Sequence, residues 1–571
     1  MQQKRWVVAD KAPDEVLQEL SSYGSLAAQL MFNRGITTKA DAEAYLNPSL
    51  SQLHDPYLLC DMDKAVERIL KAREAKEKVA VFGDYDVDGV ASTVLLTQVF
   101  RQIGLETRPY IPERMSEGYG LNLDAMELLA REGITLIVTV DCGISGGAEI
   151  IRAAELGIDV IVTDHHHVTG ELPAAYAVID PKREDCGYPY PDLAGVGLAY
   201  KLAEAVRRTV SFGYEHDPFD LVALATIADI APLTGENRTL VALGLAAINR
   251  TKRPGLLALI DCADIKRGTV DSYHVGFYLG PRLNAAGRLT HAKQALELLM
   301  ADEDSLALKL ARELTLLNKD RQDLTVSIVE QAKAEIEKQL GNKVFVISGE
   351  SWPSGIVGLV AGRICESYYR PVFVLEKGEM TSRGSARSIA GFHVAEALTE
   401  CRDLLNRFGG HALAGGFEID NVKLPEFIDR LEAIAERTLD AESLTAQLRI
   451  DAEAPLNSVT YDLWRTTERM RPFGYHNPSP VFMASRVGMR YLKKIGAQQN
   501  HLKLVVEQGS CKLQAVGFNL GELFGVLSQE PYADIVFSVD ENEWEGVKSL
   551  QLKLKDIRPA GSSFANDIPS R

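Results

Sequence analysis

Lys78-Val79-Ala80-Val81-Phe82 runs straight into Gly83-Asp84-Tyr85-Asp86-Val87-Asp88-Gly89, and a helical pattern from Val90 to Ile103 follows. A short apolar run that stops at a turn and hands over to a helix reads as a buried strand of a parallel sheet. The pattern recurs. Thr135 to Val140 stops at Asp141-Cys142-Gly143, and Ile158 to Thr163 stops at Asp164-His165-His166, with a helical pattern from Leu123 to Gly133 before them. Alternating strand and helix predicts an α/β domain with a parallel sheet. Each run ends in an acidic residue within a step or two of its C-terminal edge, where open α/β sheets bind ligands. Asp84, Asp86, Asp88, Asp141 and Asp164-His165-His166 are therefore expected to converge in one crevice. A fourth element, Thr226 to Leu233, adds Asp229 inside an otherwise apolar stretch.

Several carboxylates within a few ångströms repel one another and stay ionised together only with cations between them. Carboxylates plus imidazole without thiolates favour Mn²⁺ or Mg²⁺ over structural zinc. Two such ions about 3.5–4 Å apart are a standard device for in-line attack of water on phosphate esters. Blander readings exist. A single Asp at a strand end is usually a cap or turn residue. Asp84-x-Asp86-x-Asp88-Gly89 also resembles the opening of a calcium-binding EF-hand loop. That alternative fails because the segment follows a strand and the twelfth loop position is Leu95, not Glu. His167 reads as incidental. With the other acids present, Asp229 reads as a ligand rather than a buried structural acid.

The chain of 571 residues is too long for one core and suggests three or four domains. With 46% apolar and 25% charged residues it has the composition of a soluble globular protein. No apolar stretch is long enough for a membrane span, and the N-terminus lacks the apolar core of a signal peptide, so a cytoplasmic location is expected. Seven cysteines without a C-x-x-C pair fit reduced thiols. A net charge of −17 argues against nucleic-acid binding by the whole surface and leaves room for a local basic groove. Residues 1 to about 45 predict a small helical lead-in, with a helix starting near Thr38 and running to Tyr45. Residues 301 to 340 carry a helical stripe from Leu306 to Ile336, about 50–60 Å of helix if unbroken. A second α/β segment follows, with strands at Lys343–Ser348 and Pro371–Leu375 and a closing helix from Leu424 to Leu439. From about 448 short alternating strands, such as Leu502–Val506 and Leu550–Leu554, predict a small barrel.

Asp84-Tyr85-Asp86-Val87-Asp88-Gly89, Asp141-Cys142-Gly143, Asp164-His165-His166 and Ala228-Asp229 stand in the order of the four motifs of the DHH phosphoesterase superfamily. Within it the chain resembles the RecJ family of single-strand-specific exonucleases nearly end to end. Glu117-Gly118-Tyr119-Gly120-Leu121, Leu193-Ala194-Gly195-Val196-Gly197, Gly235-Glu236-Asn237-Arg238 and Arg282 to Arg288 resemble its blocks, as do Gly384 to Ser388, Gly409 to Phe417, Pro472-Phe473-Gly474 and the final Gln551 to Arg558. Pro353, Ala225 and Leu198 depart from the family pattern, away from the acidic motifs.

The resemblance implies an N-terminal lead-in over 1–50, a DHH catalytic domain over 51–300, a connecting helix over 301–341, a DHH-associated domain over 342–445, an OB-fold over 446–560 and a disordered tail over 561–571. The sequence ends soon after the OB-like region, which implies that it lacks the extra C-terminal domain of some longer relatives. Asp84, Asp86, Asp88, Asp141, His165 and Asp229 are the expected ligands of two Mn²⁺ or Mg²⁺ ions. Asp164 is expected to orient His165, and His166 to contact phosphate or assist the leaving group. Arg282 and Arg288 bracket an Asn284-Ala285-Ala286-Gly287 loop, Ser385 and Arg387 sit on a Gly-Ser-Ala-Arg loop, and Arg114 follows Ile111-Pro112. Guanidinium forks and exposed amides suit terminal and flanking phosphates. His411, in its glycine-rich stretch, is a candidate for the scissile phosphate. OB folds hold single strands with a basic groove and stacking aromatics. Arg486, Arg490, Lys493 and Lys494, with Tyr491 and Phe518, are the candidates here.

The implied activity is 5′-to-3′ removal of mononucleotides from single-stranded DNA, in recombination and repair. Single-strand-binding protein and a RecQ-type helicase are the implied partners, and the chain is expected to be a monomer. Two rivals are a DHH enzyme for nano-RNA or small phosphorylated nucleotides, which needs neither OB-fold nor long helix, and an inactive DHH scaffold, which intact acids in all four motifs disfavour.

Overall fold

The structure is a computed structural model and describes residues 4–562 apart from 115, 169 and 545. Most of the expected tail, residues 563–571, lies outside the described residues. The chain divides into two compact units: residues 48–323 with 472–478, and residues 1–47 with 324–471 and 479–571.

The first unit is built on a parallel sheet of five strands, in the order Glu106–Tyr110, Lys78–Gly83, Ile134–Val140, Asp159–Thr163, Ala177–Ile179. The three runs read from sequence are the central three. Both faces are covered, so they carry apolar residues at nearly every position: Val79 to Phe82 and Leu136 to Val138 are all buried. One face packs on the Val87–Gln102 and Gly195–Val210 helices, and the other on Leu123–Arg131 and Gly147–Glu155. The first strand has the second strand on one side and the third on the other, so the winding reverses between Lys78–Gly83 and Ile134–Val140. In doubly wound sheets that reversal opens a crevice beyond the strand ends. Asp84 and Asp141 stand directly at it.

The second unit holds another five-stranded sheet, in which Phe345–Glu350 and Val372–Lys377 run parallel and Thr381–Arg387, Ala414–Asp420 and Leu405–Gly410 continue antiparallel. It also holds a closed barrel. Its strands are Phe482–Ile495, His501–Gln508, Cys511–Gly517, Val547–Pro559 and Tyr532–Trp544, and the last pairs back onto the first. Closure removes the exposed sheet edges that isolated strands would leave. The long helix spans Asp304–Lys338 and contributes to both units. Among the described residues no helix is long and apolar enough to cross a membrane.

Three local readings differ from expectation. The lead-in contains the expected helix, Lys39–Leu46 capped by Thr38, but opens with a strand, Arg5–Val8. That strand pairs in parallel with Gln447–Ile450, and Trp6 donates to Asp556 while its ring lies under Arg558. A run of four β-prone residues finds its partner more than four hundred residues away, which local periodicity does not register. The Arg282–Arg288 segment is helix, Gly280–Leu289, because Pro281 starts a helix well and the leucine, alanines and arginines that follow are strong helix formers. Ser385 and Arg387 lie on the Thr381–Arg387 strand, paired on both sides, where the glycine that suggested a loop admits the Phe417 ring.

Candidate metal centre and nucleic-acid surfaces

Asp86 caps the Val87–Gln102 helix, its Oδ1 accepting from the Asp88 and Gly89 amides at 2.8 and 3.3 Å. Gly89 is required for close approach: a Cβ there would lie 2.4 Å from the Asp84 backbone. Asp88 points from the first helical turn toward the N-terminus of the Gly195–Val210 helix. Its two oxygens accept from the Gly195 and Val196 amides at 2.7 and 2.8 Å, as an anion does at the positive end of a helix. Asp141 adopts the left-handed conformation (φ +59°), which Asp tolerates better than most residues and which turns its carboxylate back over the sheet edge. Asp229 is the C-cap of the Phe219–Ala228 helix. The next residue, Ile230, has φ +58°, strained for a β-branched side chain, and is largely exposed.

These elements bring Asp84, Asp86, Asp88, Asp141, His165, His166 and Asp229 together. Three sets place one ligand atom per residue within 4.8 Å of the others: Asp84 with Asp86 and Asp141; Asp88 with His165 and Asp229; and Asp141 with His165 and His166. Asp141 is shared between sets. His165 Nε2 lies 3.1 Å from Asp141 Oδ1 and 3.9 Å from Asp88 Oδ2. Asp164 stands behind. Its Oδ1 accepts from the His165 and His166 amides and pairs with His166 Nδ1 at 2.7 Å, and Ile144 donates to Oδ2. It therefore orients the ring of His166 rather than that of His165, which corrects the sequence expectation. A carboxylate followed directly by two histidines reaches the second ring more easily than the first, whose backbone amide it already caps.

Burial first, and then the neighbouring carboxylates, push Asp84, Asp141 and Asp229 well above the ordinary aspartate range and Asp88 up to about 7. Burial and the charge of His166 hold His165 down at about 3, so its ring is neutral. Burial opposes charge on His166 and Asp164 too, but their mutual hydrogen bond and attraction raise the first and lower the second. Acids forced together in this way call for cations. Asp84 Oδ1 is buried and has no hydrogen-bond partner among the described residues. The donors are carboxylate oxygens and imidazole nitrogens. The adjacent thiol, Cys142, is buried toward the Phe82 carbonyl and pushed well up by burial, which keeps it out of the ligand set. This composition fits hard divalent cations such as Mn²⁺ or Mg²⁺.

Of the phosphate candidates, Asn284 accepts from the Val87 amide at 3.1 Å and so adjoins the centre, and Arg114 lies over the Tyr85 ring at 4.8 Å. Arg288 closes the same helix as Asn284 and faces Tyr85, whose hydroxyl burial pushes up to about 12. Arg282 donates to the Tyr278 carbonyl and has a buried Nε without a partner among the described residues. It lines a cavity of about 510 Å³ with Tyr273, Phe277, Tyr278, Lys319 and Gln322. The three aromatic rings are substantially exposed and cluster at 4.8 and 5.9 Å, on a turn widened to π-helical form, a feature that often marks functional sites.

Ser385, Arg387 and His411 belong to the other unit. Arg387 donates to Ser385 Oγ at 3.1 Å, and Gly358 on the facing helix leaves them room. His411 sits exposed in the turn between the Leu405–Gly410 and Ala414–Asp420 strands. On the barrel, Lys493 and Lys494 are exposed, whereas Arg490 is paired with Glu507 at 2.9 Å. Tyr491 and Phe518 are both exposed, 84% and 56%, so Phe518 is not core. Tyr491 and Arg486 lie at bulges with positive φ.

Sequence reading missed several neighbours. Asp180 follows the fifth strand of the row as Asp84, Asp141 and Asp164 follow theirs, and burial pushes it up to about 7. The run Ala177-Val178-Ile179-Asp180 carried the same signal, only shorter. Lys182 donates to the His165 carbonyl and fixes the turn from behind. Tyr119 places its hydroxyl 3.4 Å from His166 Nδ1 and from the Asp141 carbonyl. Lys503, directly opposite Lys493 in the barrel register, had no sequence signal, because register is a property of pairing.

Residues 78–227 match the DHH family N-terminal domain, 341–437 the DHHA1 domain and 450–556 the RecJ OB domain. The chain is 38% identical over 559 residues to the single-stranded-DNA-specific exonuclease RecJ of Bacillus subtilis, covering 97% of this chain and 70% of that one. It is similar to the crystal structure of RecJ from Thermus thermophilus in complex with Mn²⁺, with a TM-score of 0.85, 30% identity and coverage of 98% and 80% of the two chains. The Mg²⁺ complex from the same organism gives a TM-score of 0.78, 28% identity and coverage of 98% and 79%. Three domain matches in series and 38% identity to a RecJ over 97% of the chain place this chain in the RecJ family of single-stranded-DNA-specific exonucleases.

Proposed function

We propose that the chain hydrolyses single-stranded DNA from its 5′ end, releasing mononucleotides, with two Mn²⁺ or Mg²⁺ ions at the strand-end crevice. The observation that carries this reading is the convergence of five aspartates and a neutral histidine around an orphaned carboxylate oxygen, in a chain of this family. Asp84, Asp86 and Asp141 would hold one ion, and Asp88, His165 and Asp229 the other, with Asp141 reaching both. When bound, such a pair lowers the pKa of a water and neutralises the charge that builds on the leaving oxygen. The protein's own groups do the rest. His165 stays neutral and keeps a nitrogen lone pair for the centre. His166, its Nδ1 tied to Asp164 and its Nε2 3.5 Å from the Tyr119 hydroxyl, would donate a proton or hydrogen bond from Nε2 to a phosphoryl or leaving oxygen. Arg114, Arg288 and Asn284 flank the centre and would orient the phosphates on either side of the scissile bond.

Single-strand preference is supported by the aromatic cavity at Tyr273, Phe277 and Tyr278, which offers faces for unpaired bases beside the Arg282 cation. The barrel adds a second such surface through Lys493, Lys494, Tyr491 and Phe518. Ser385, Arg387 and His411 are assigned to substrate phosphates. Single-strand-binding protein and a RecQ-type helicase are the proposed partners, recombination and repair the setting, the cytoplasm the location, and a monomer the working form. End-labelled oligonucleotides test the reading. Immediate release of a labelled mononucleotide from the 5′ end is expected, only with metal and only from single strands. Activity confined to dinucleotides would replace it with a small-substrate phosphoesterase, and no hydrolysis by folded, Mn²⁺-supplied protein would leave an inactive scaffold.

A further inference from the structure

The start of the Gly195–Val210 helix packs against two of the candidate ligands at once. The Gly195 and Val196 amides hold both oxygens of Asp88. A Cβ on Gly195 would fall 2.8 Å from Asp141 Cβ, 3.2 Å from Asp141 Cα and 3.0 Å from Asp88 Oδ2. Those two aspartates come from different elements and from different candidate ligand sets, Asp88 with His165 and Asp229, and Asp141 with Asp84 and Asp86. We propose that Gly195 is a positioning residue that fixes the spacing of the two metal subsites, its bare α-carbon letting one helix N-terminus press against Asp88 and Asp141 at once. The helix dipole and amides hold the Asp88 carboxylate in place before any cation arrives, so the subsite is preassembled rather than gathered by the ion. Any side chain at 195 must push Asp141 back along its strand end or lift the helix from Asp88. Either movement opens the gap between the subsites while leaving each ligand present. Helix propensity alone predicts the opposite sign, since alanine is the better helix former.

The inference rests on the paired-ion reading above. Calorimetric Mn²⁺ titration of the full chain, with electron paramagnetic resonance for the spin-coupled pair, separates the two. Wild type is expected to bind two ions and show the coupled signal. Gly195→Ala should weaken at least one ion by about tenfold or more, the usual cost of disturbing a ligand's support, and abolish the coupled signal. Its metal-free circular dichroism should match wild type, and its unfolding midpoint should fall, against the sign that helix propensity gives. Gly197→Ala, whose added Cβ would have the Leu193 side chain as its nearest neighbour at 3.2 Å, should bind both ions as wild type does. Gly195→Ala that keeps both affinities within threefold and the coupled signal overturns the proposal. Should Gly195→Ala fail to fold, Val196→Pro decides, because it deletes the amide to Asp88 Oδ1 in a first helical turn that accepts proline. A weakened ion supports the proposal and wild-type binding overturns it. A wild-type chain that binds fewer than two ions overturns both this inference and the paired-ion reading.

Discussion

The strand-end crevice and the barrel surface are opposites in construction. In the crevice Asp84, Asp88, Asp141 and Asp164 are buried, Asp86, Asp88 and Asp164 are held by backbone amides, and the charge is negative. On the barrel the chemistry-bearing side chains, Tyr491, Lys493, Lys494 and Phe518, are exposed and the charge is positive. Both carry unpaid repulsion: crowded carboxylates in one, and Lys493 directly across from Lys503 in the other. The crevice resolves its repulsion with small ions at fixed points. On the proposed reading the barrel resolves its own with the phosphates of a bound strand, which carry no sequence information. Chemistry that needs sub-ångström placement is built on buried strand ends, and grip that must tolerate every base is built on an exposed face.

The comparison breaks most sharply at the shared ligand. Asp141→Ala should cut single-strand hydrolysis by about a thousandfold or more, since it removes a group from two of the three candidate ligand sets. Oligonucleotide affinity without metal should stay within about threefold. Loss of affinity in parallel would mean that the two surfaces are not separable. In the aromatic cavity, Phe277→Ala should weaken single-strand binding by about tenfold, the value of one stacked base, read by fluorescence anisotropy. Hydrolysis of a dinucleotide, which has fewer bases to stack, should be reduced less.

Lys503→Glu should lower single-strand affinity by about fivefold and flatten its dependence on salt by about one counterion. The same change should stabilise the barrel slightly, because it turns a cross-strand repulsion into an attraction. Weaker binding in a more stable barrel is a combination that simple damage does not produce.

Acidity sharpens the contrast further. The raised crevice aspartates bind more protons in the folded chain than in the unfolded one, whose aspartates titrate near about 4. Without metal, stability should therefore fall as pH rises from about 4 through about 7, the value to which Asp88 is pushed. Saturating Mn²⁺ should reverse that slope, because it replaces the protons. Differential scanning calorimetry between pH 5 and 8, on the order of those bounds, reads both. The smallest effect belongs to Ile230. Ile230→Gly should raise the metal-free stability by about 1 kcal/mol by relieving a left-handed β-branched residue. A loss of stability there would mean that the side chain packs usefully despite its exposure.

The catalytic half of this design was legible in sequence because its code is local. An apolar run ending in Asp announces both the strand and the ligand, and three of the four such runs were read. The fourth, ending at Asp180, was passed over because three residues give too little periodicity. What could not be read is what depends on pairing at a distance. The strand at Arg5–Val8 needs Gln447–Ile450, Lys503 matters only through the register that faces it with Lys493, and Arg490 is spent on Glu507. The Arg282–Arg288 and Gly384–Arg387 segments were misread as loops for another reason. Glycine signals a turn only when no neighbour needs its missing side chain, and Gly384 gives its space to Phe417.

Asp84 and Asp141 close two adjacent parallel strands, Lys78–Gly83 and Ile134–Val140, that are hydrogen-bonded to each other. Neighbouring strands lie about 4.8 Å apart, a length set by the peptide hydrogen bond and by nothing in the side chains. Paired catalytic ions stand about 3.5–4 Å apart. The backbone itself thus sets the separation of two carboxylates that share one candidate ligand set, Asp84 and Asp141. Substitutions in helices that do not touch these strand ends can alter what the enzyme grips without recalibrating that separation.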